Sequence, residues 1–289
     1  MRAALLAAAL LFAAARPAAA QWPWQLLQLL KPDGRIDSSL LTECSGLVQS
    51  LRYGGIFWAL GDSGSGAVIV PVTASGALAP GWSGPVRIDG CKNYDWEDLA
   101  LDGRGNLIIA DVGNNSGRRR QLMLHFVREP QTGTAVVRPS RTLRVHYADQ
   151  TAASADFDCE AVFCVDDRIF FLTKHRSDGR TNLYRLAGDS AQKSNPLRRV
   201  SSFDVGGMVT AADVSPDGKS VAVLTYTAVW VFDYDARKGD IFGGRVRRRP
   251  FFAWQGEAVA FDGNDSLVVA NEQGQLFRLQ LSSFETVRP

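Results

Sequence analysis

Asp95-Trp96-Glu97-Asp98-Leu99, the turn Asp102-Gly103-Arg104-Gly105-Asn106 and the apolar run Leu107 to Ala110 form the stretch that decides the fold. An acidic opening, an apolar run, a turn rich in Gly, Asp and Asn and a second apolar run together read as a β-hairpin. The pattern recurs. Glu43-Cys44-Ser45-Gly46-Leu47, Asp158-Cys159-Glu160-Ala161-Val162, Thr210-Ala211-Ala212-Asp213-Val214 and Gln255-Gly256-Glu257-Ala258-Val259 open in the same way. Aligned on Ser45, Glu97, Glu160, Ala212 and Glu257, the units step by 52, 63, 52 and 45 residues, the lengths of propeller blades.

Third strands are expected at 67–72, 121–127, 182–186, 228–234 and 275–281. Fourth strands are expected at 86–89, 142–147, 199–205 and 251–254, and the fifth unit runs out of chain before its own. The segment 34–40 precedes the first motif as 200–205 precedes the fourth, so it is expected to supply the missing strand and close the ring. The expectation is an all-β fold over 34–289: a single five-bladed β-propeller of four-stranded blades, closed by an N-terminal strand. Trp24 to Leu30 is the one weak helix candidate, within a linker at 21–33.

Outside the repeats, Arg2, the apolar run Ala3 to Ala15 and Ala18-Ala19-Ala20 read as a signal peptide cleaved after residue 20. Export to the periplasm or beyond follows, with no membrane attachment after cleavage. Without Arg2 and Arg16, 30 Lys and Arg face 30 Asp and Glu, so nothing in the balance calls for nucleic acid. A monomer acting on a small molecule is expected. The runs Arg118-Arg119-Arg120 and Arg245 to Arg249 read as solvated loop or edge-strand charge. Cys159 and Cys164 lie about 16 Å apart along one strand and cannot bond. Cys44 and Cys91, each just upstream of a motif, are the candidate disulfide. Three scattered histidines and no CxxC argue against zinc.

Equivalent positions of the innermost strands converge on one tunnel mouth. That places Ser45, Glu97, Glu160, Ala212 and Glu257 in a ring, with Asp95, Asp158, Asp111 and Lys174 around it. Crowded carboxylates either take up protons or recruit a cation, and an oxygen-rich set without thiolate or imidazole suits Ca²⁺. Ser63, in Gly61-Asp62-Ser63-Gly64, lacks a nucleophile elbow and reads as a turn. Trp58, Trp96, Trp230 and Trp254 read as packing between blades.

The order Ser45, Glu97, Glu160, a small residue, Glu257, with Ser45-Gly46-Leu47-Val48, Glu97-Asp98-Leu99-Ala100 and Glu160-Ala161 opening blades, resembles the calcium ring of five-bladed calcium-dependent apyrases. The segments around Trp96 and Asp111 are also similar in style to secreted bacterial propellers of phytase-like or esterase-like type. The resemblance implies a calcium held by Ser45, Glu97, Glu160, Ala212 (through its carbonyl) and Glu257. The expected activity is hydrolysis of a small phosphorylated or esterified substrate. Asp95, Asp158 or Asp111 would take a proton from water and Lys174 would offset developing charge. Ala212 stands where that family has Ser, and the family's nucleotide-contact motifs are not evident. Two other readings stay open: a glycoside hydrolase using paired carboxylates, and a binding or scaffold propeller with a structural ion.

Overall fold

The computed structural model describes residues 31–288, so the signal peptide expected at 1–20 and the helix candidate at 24–30 lie outside the described residues. The strand β1 (Gly34–Arg35) is followed by β2 (Cys44–Gln49), β3 (Ile56–Gly61), β4 (Val68–Thr73) and β5 (Val86–Ile88). A second unit comprises β6 (Trp96–Leu101), β7 (Asn106–Asp111), β8 (Leu122–Arg128), the short β9 (Val136–Val137) and β10 (Arg141–Tyr147). A third holds β11 (Cys159–Val165), β12 (Arg168–Thr173), β13 (Arg180–Leu186) and β14 (Ser194–Asp204). The fourth is β15 (Val209–Val214), β16 (Ser220–Thr225), β17 (Ala228–Asp233) and β18 (Val246–Pro250). The last is β19 (Gly256–Asp262), β20 (Ser266–Asn271) and β21 (Gln275–Gln280), followed by β22 (Glu285–Arg288). Among the described residues the remaining helical turns are short 3₁₀ segments.

The long strands of each unit form an antiparallel meander, while the short β9 crosses to pair in parallel with β5 of the first unit and β22 pairs with β18 of the fourth. The last unit gains its fourth strand from β1, with Gly34 opposite Leu276 and Arg35 opposite Gln275. Only these two residues of 34–40 are strand, because the chain turns at Asp37, whose carboxylate accepts from the Ser39 N–H. The first strands adjoin one another in a circuit: β2 beside β6, then β11, β15, β19 and β2 again. This radial repetition makes the fold a β-propeller. Units two and three are further joined by parallel pairing of β10 with β14, giving an eight-stranded sheet.

The apolar runs of the strands follow from this packing. Side chains alternate faces along a strand, and here both faces of a unit meet a neighbour. In β3, Phe57 and Ala59 pack toward the last unit while Trp58 and Leu60 pack toward the second. In β12, Phe170 and Leu172 face the fourth unit, and Ile169 and Phe171 face the second. Each such buried leucine, isoleucine or phenylalanine contributes about 1.5–3 kcal/mol.

Three expectations are corrected here. The fourth strand of the fourth unit is Val246–Pro250, upstream of 251–254. Its arginines are accommodated at the sheet margin: Arg247 bonds Asp233, Arg248 lies over Trp230 and Arg249 donates to Ser283. Trp254 is 65% exposed, unlike the buried Trp58, Trp96 and Trp230. All four cysteines are free thiols. Cys44 packs into the cluster shared with the last unit and Cys91 against that shared with the second, on opposite faces of the first unit, so no bridge joins them.

Candidate functional site

Every first strand carries a β-bulge at the same point of its repeat, where it enters the hairpin with the second strand. The register slips between Cys44 and Gly46, Trp96 and Asp98, Cys159 and Ala161, Val209 and Ala211, and Gly256 and Ala258. The extra residues are Ser45, Glu97, Glu160, Thr210 and Glu257. A bulge re-aims its unpaired residue, which explains how a core strand can present a carboxylate. Four of these five are the ring residues expected from sequence. In the fourth unit Thr210 holds the position and Ala212 does not: Ala212 pairs with Val223, its methyl lies in the apolar core, and its N–H points at Asp98 Oδ2, 3.4 Å away.

The five residues divide by chemistry. The two hydroxyls fasten one unit to the next, Ser45 Oγ donating to the Trp96 carbonyl at 3.1 Å and Thr210 Oγ1 to that of Gly256 at 2.8 Å. The three glutamates, each at most 8% exposed, line a cavity of about 180 Å³. A second set of side chains comes from the residue just after the second strand in four of the units, Val112 of the second unit lying in the apolar core instead. At Asp62, Lys174 and Glu272 that residue's N–H donates to the carbonyl of Glu43, Asp158 and Gln255, which closes the hairpin and directs the side chain to the cavity. Tyr226 holds the corresponding place in the fourth unit and lines the cavity too. Glu43 and Gln255, immediately before their first strands, take left-handed backbone conformations with φ of 51° and 57°.

Two groupings result. Lys174 Nζ lies 3.0 Å from Glu160 Oε2 and 5.2 Å from the centre of the Tyr226 ring, while the Tyr226 hydroxyl donates to Glu257 Oε1 at 2.6 Å. Burial alone would discharge this lysine, but Glu160 and Glu257 hold its pKa above the ordinary value. Burial lifts the Glu257 carboxyl to about 7 against the pull of Lys174, and raises that of Glu160 likewise. The other grouping is Asp62, Asp95 and Glu97, which offer one carboxylate oxygen each within 4.8 Å of one another. Asp95 and Glu97 converge over Gly113, where a Cβ would lie against Glu97 Oε1 and the Asp95 carboxylate. Burial, reinforced by Asp62, pushes Asp95 to about 6, and burial together with Glu160 raises Glu97.

Asp111 and Asp158 do not line the cavity. Asp111, fully buried, accepts from Arg119 at 2.7 Å. Asp158 accepts from the Asn114 N–H at 2.7 Å and from Arg176 at 3.1 Å. Both anchor guanidinium groups, and Arg176 itself lines the cavity. Ser63 is exposed, and its N–H donates to the Asp62 carboxylate, as a turn residue does. Asp62, Lys174, Tyr226 and Glu272 stand where the ends of the second strands were expected to bring them, although Asp62 was also read as part of that turn. Arg119, expected as solvated loop charge, is instead held by Asp111 and the Gly113 carbonyl, and Arg176 was not anticipated from the sequence.

A buried polar layer lies outside the cavity lining, and it holds Asp213, which the repeat had placed at the mouth with Ala212, together with Asp98. Asp98, fully buried, accepts from the N–H groups of Leu99 and Val162, each at 2.8 Å, in addition to that of Ala212. Asp213 accepts from the Phe261 N–H at 2.7 Å. Burial raises both carboxyls, Asp213 to about 7. These acids cross-link first strands of different units.

No protein family and no curated protein matches the sequence. Among solved structures, the chain is similar to the calcium-binding protein regucalcin from Agrobacterium tumefaciens, at 15% identity and a TM-score of 0.46, over 89% of this chain and 96% of that one. It is similar to hydrazine synthase of Kuenenia stuttgartiensis at 10% identity and a TM-score of 0.46, over 82% and 71% of the two chains. With virginiamycin B lyase of Staphylococcus aureus the figures are 12% and 0.39, over 82% of this chain and 66% of the lyase, just under two thirds of its length.

Proposed function

We propose that the chain is one five-bladed propeller, closed by β1, which binds a divalent cation, calcium foremost, at Asp62, Asp95 and Glu97. In this reading it hydrolyses a small phosphorylated or esterified substrate at that mouth. It acts as an exported monomer, freed of residues 1–20, with 34–289 as its single domain. One observation carries the reading: Glu97 is 5% exposed, accepts no hydrogen bond among the described residues, and lines an open cavity with Asp62, while Asp95, outside the cavity lining, brings a third carboxylate oxygen within 4.8 Å of both. A buried carboxylate without a donor demands a proton or a cation. The ligand set differs from the expected ring because the Lys174 ammonium already serves Glu160 and the Tyr226 hydroxyl serves Glu257.

A bound cation would supply Lewis-acid polarisation of a phosphoryl or acyl oxygen. The chain's own residues do the rest. Lys174 offsets negative charge on the substrate, and Asp158 orients Arg176 at the rim, as Asp111 orients Arg119 near Asp95. Glu257 is the acid of the cavity poised near neutrality, suited to take a proton from water. A binding propeller with a purely structural ion is the second reading. It is favoured by the fact that Lys174 already pairs with Glu160 without any ion. Calorimetry with Ca²⁺ and Mg²⁺, run beside a panel of aryl phosphates, aryl esters, nucleotides and aryl glycosides with and without EDTA, tests both. Uptake of Ca²⁺ with EDTA-sensitive turnover of an ester or phosphate supports the hydrolase, and uptake without turnover leaves the binding propeller. No uptake of either ion defeats both.

A further inference from the structure

A larger cavity, about 340 Å³, opens between units two and three at the end carrying the first-to-second-strand turns, opposite the acidic mouth. Its origin is the parallel ladder between β10 and β14, which pairs only Arg144 to Tyr147 with Ser194 to Leu197. Upstream of Arg144 the two sheets part, and Arg141 and Leu143 of β10 face the gap. The floor is apolar: Phe126, Leu143 and Ile169 are each at most 8% exposed. Burial raises the neighbouring Cys164 thiol to about 12, so that wall is neutral as well.

The rim sets four arginines, Arg104, Arg141, Arg168 and Arg185, against three aspartates, Asp102, Asp167 and Asp189, and its ion pairs are loose. Arg141 stacks 4.1 Å from the centre of the Phe126 ring, which fixes the guanidinium plane and leaves its edges free to donate. Its carboxylate partner, Asp189, is 3.8 Å away and 87% exposed. Arg104 reaches Asp167 at the same 3.8 Å, and Asp167 is 60% exposed. Pairs this long and this wet contribute little and yield readily to a better acceptor. Arg185 has no side-chain hydrogen bond or ion pair among the described residues. Cations over an apolar floor, in a cavity of the size of small-ligand sites, define one ligand chemistry.

We propose that this seam binds a small organic anion, its carboxylate or phosphate on Arg104, Arg141 and Arg185 and its aromatic or aliphatic body on Phe126, Leu143 and Ile169. The site is independent of the acidic mouth and of any cation there. The test is calorimetric titration of the full chain in EDTA with benzoate and phenyl phosphate, using inorganic phosphate and benzyl alcohol as controls. Both aryl anions should bind, inorganic phosphate at least tenfold more weakly, and benzyl alcohol not at all. Arg185→Met, at an exposed position where folding should survive, should weaken the aryl anions at least tenfold. Arg141→Met should do the same. Absence of aryl-anion binding, inorganic phosphate binding as tightly as phenyl phosphate, or affinities unmoved by both arginine variants would each overturn the proposal.

Discussion

Replacing Lys174 with methionine is the perturbation that most directly probes the mouth. The variant keeps the length of the side chain, and so the packing against Tyr226, but leaves Glu160 without its 3.0 Å partner and Glu257 without nearby positive charge. Removing one member of a buried ion pair costs about 3–5 kcal/mol, which for a chain of this size lowers Tm by about 6–20 °C. The sign of the pH dependence follows from the glutamates. Their folded-state pKa values are raised, Glu257 to about 7 even with the lysine present, and without it they rise further. A carboxyl so raised contributes stability at low pH, where it is protonated, and loses it as pH climbs through the folded value. The penalty of Lys174→Met therefore peaks above neutrality and shrinks toward about pH 5. Urea unfolding of both proteins near pH 8 and near pH 5 reads it directly. A variant with the wild-type midpoint near pH 8, or an equal loss at both pH values, would refute the reasoning. Adding Glu160→Gln should recover much of the loss, because the stranded charge is then gone.

At the metal grouping, a hundredfold excess of free Ca²⁺ over its dissociation constant should stabilise the wild type by about 2.7 kcal/mol, and Glu97→Gln should abolish the shift; equal shifts in melting scans of the two proteins would remove Glu97 from the site. Gly113→Ala places a methyl against the ends of Glu97 and Asp95, flexible groups that can swing aside. Folding should survive while Ca²⁺ uptake by calorimetry falls about tenfold or more, since coordination tolerates little displacement. Asp213, buried and raised from 3.8 to about 7, should make the protein lose stability as pH rises from about 4 to 7, by at most about 4 kcal/mol. Asp213→Asn, whose amide oxygen can still accept from Phe261, should flatten denaturant midpoints across that window; an unchanged slope would assign the pH dependence to other acids.

The repeat was legible because its signals are local: a hairpin turn after an apolar run needs no knowledge of what lies across the ring. That is why the first strands fell where the motifs put them. What stayed hidden depends on pairing between distant segments. Thr210 and Ala212 are both small, both follow a hydrophobic residue or another small one, and both precede an acid within three positions, so composition cannot choose between them. The bulge chooses, because it alone decides which residue is left without a partner on the second strand. The choice is visible in the bonds: Thr210 donates to the carbonyl just before Glu257 as Ser45 donates to the one just before Glu97. The arginines of β18 were hidden for a related reason, since long stems let charged residues line a strand at a sheet margin while the charges find Asp233, Trp230 and Ser283. Lys174 was legible as a residue at the mouth but not as an occupant of the ring. Its partnership with Glu160 and its approach to Tyr226 and Glu257 require third, fourth and fifth units to be neighbours in space. Two hydroxyls thus lock neighbouring units, Lys174 pairs with Glu160 and the Tyr226 hydroxyl serves Glu257. Glu97, Asp95 and Asp62 are the grouping of carboxylates that remains for the proposed ion.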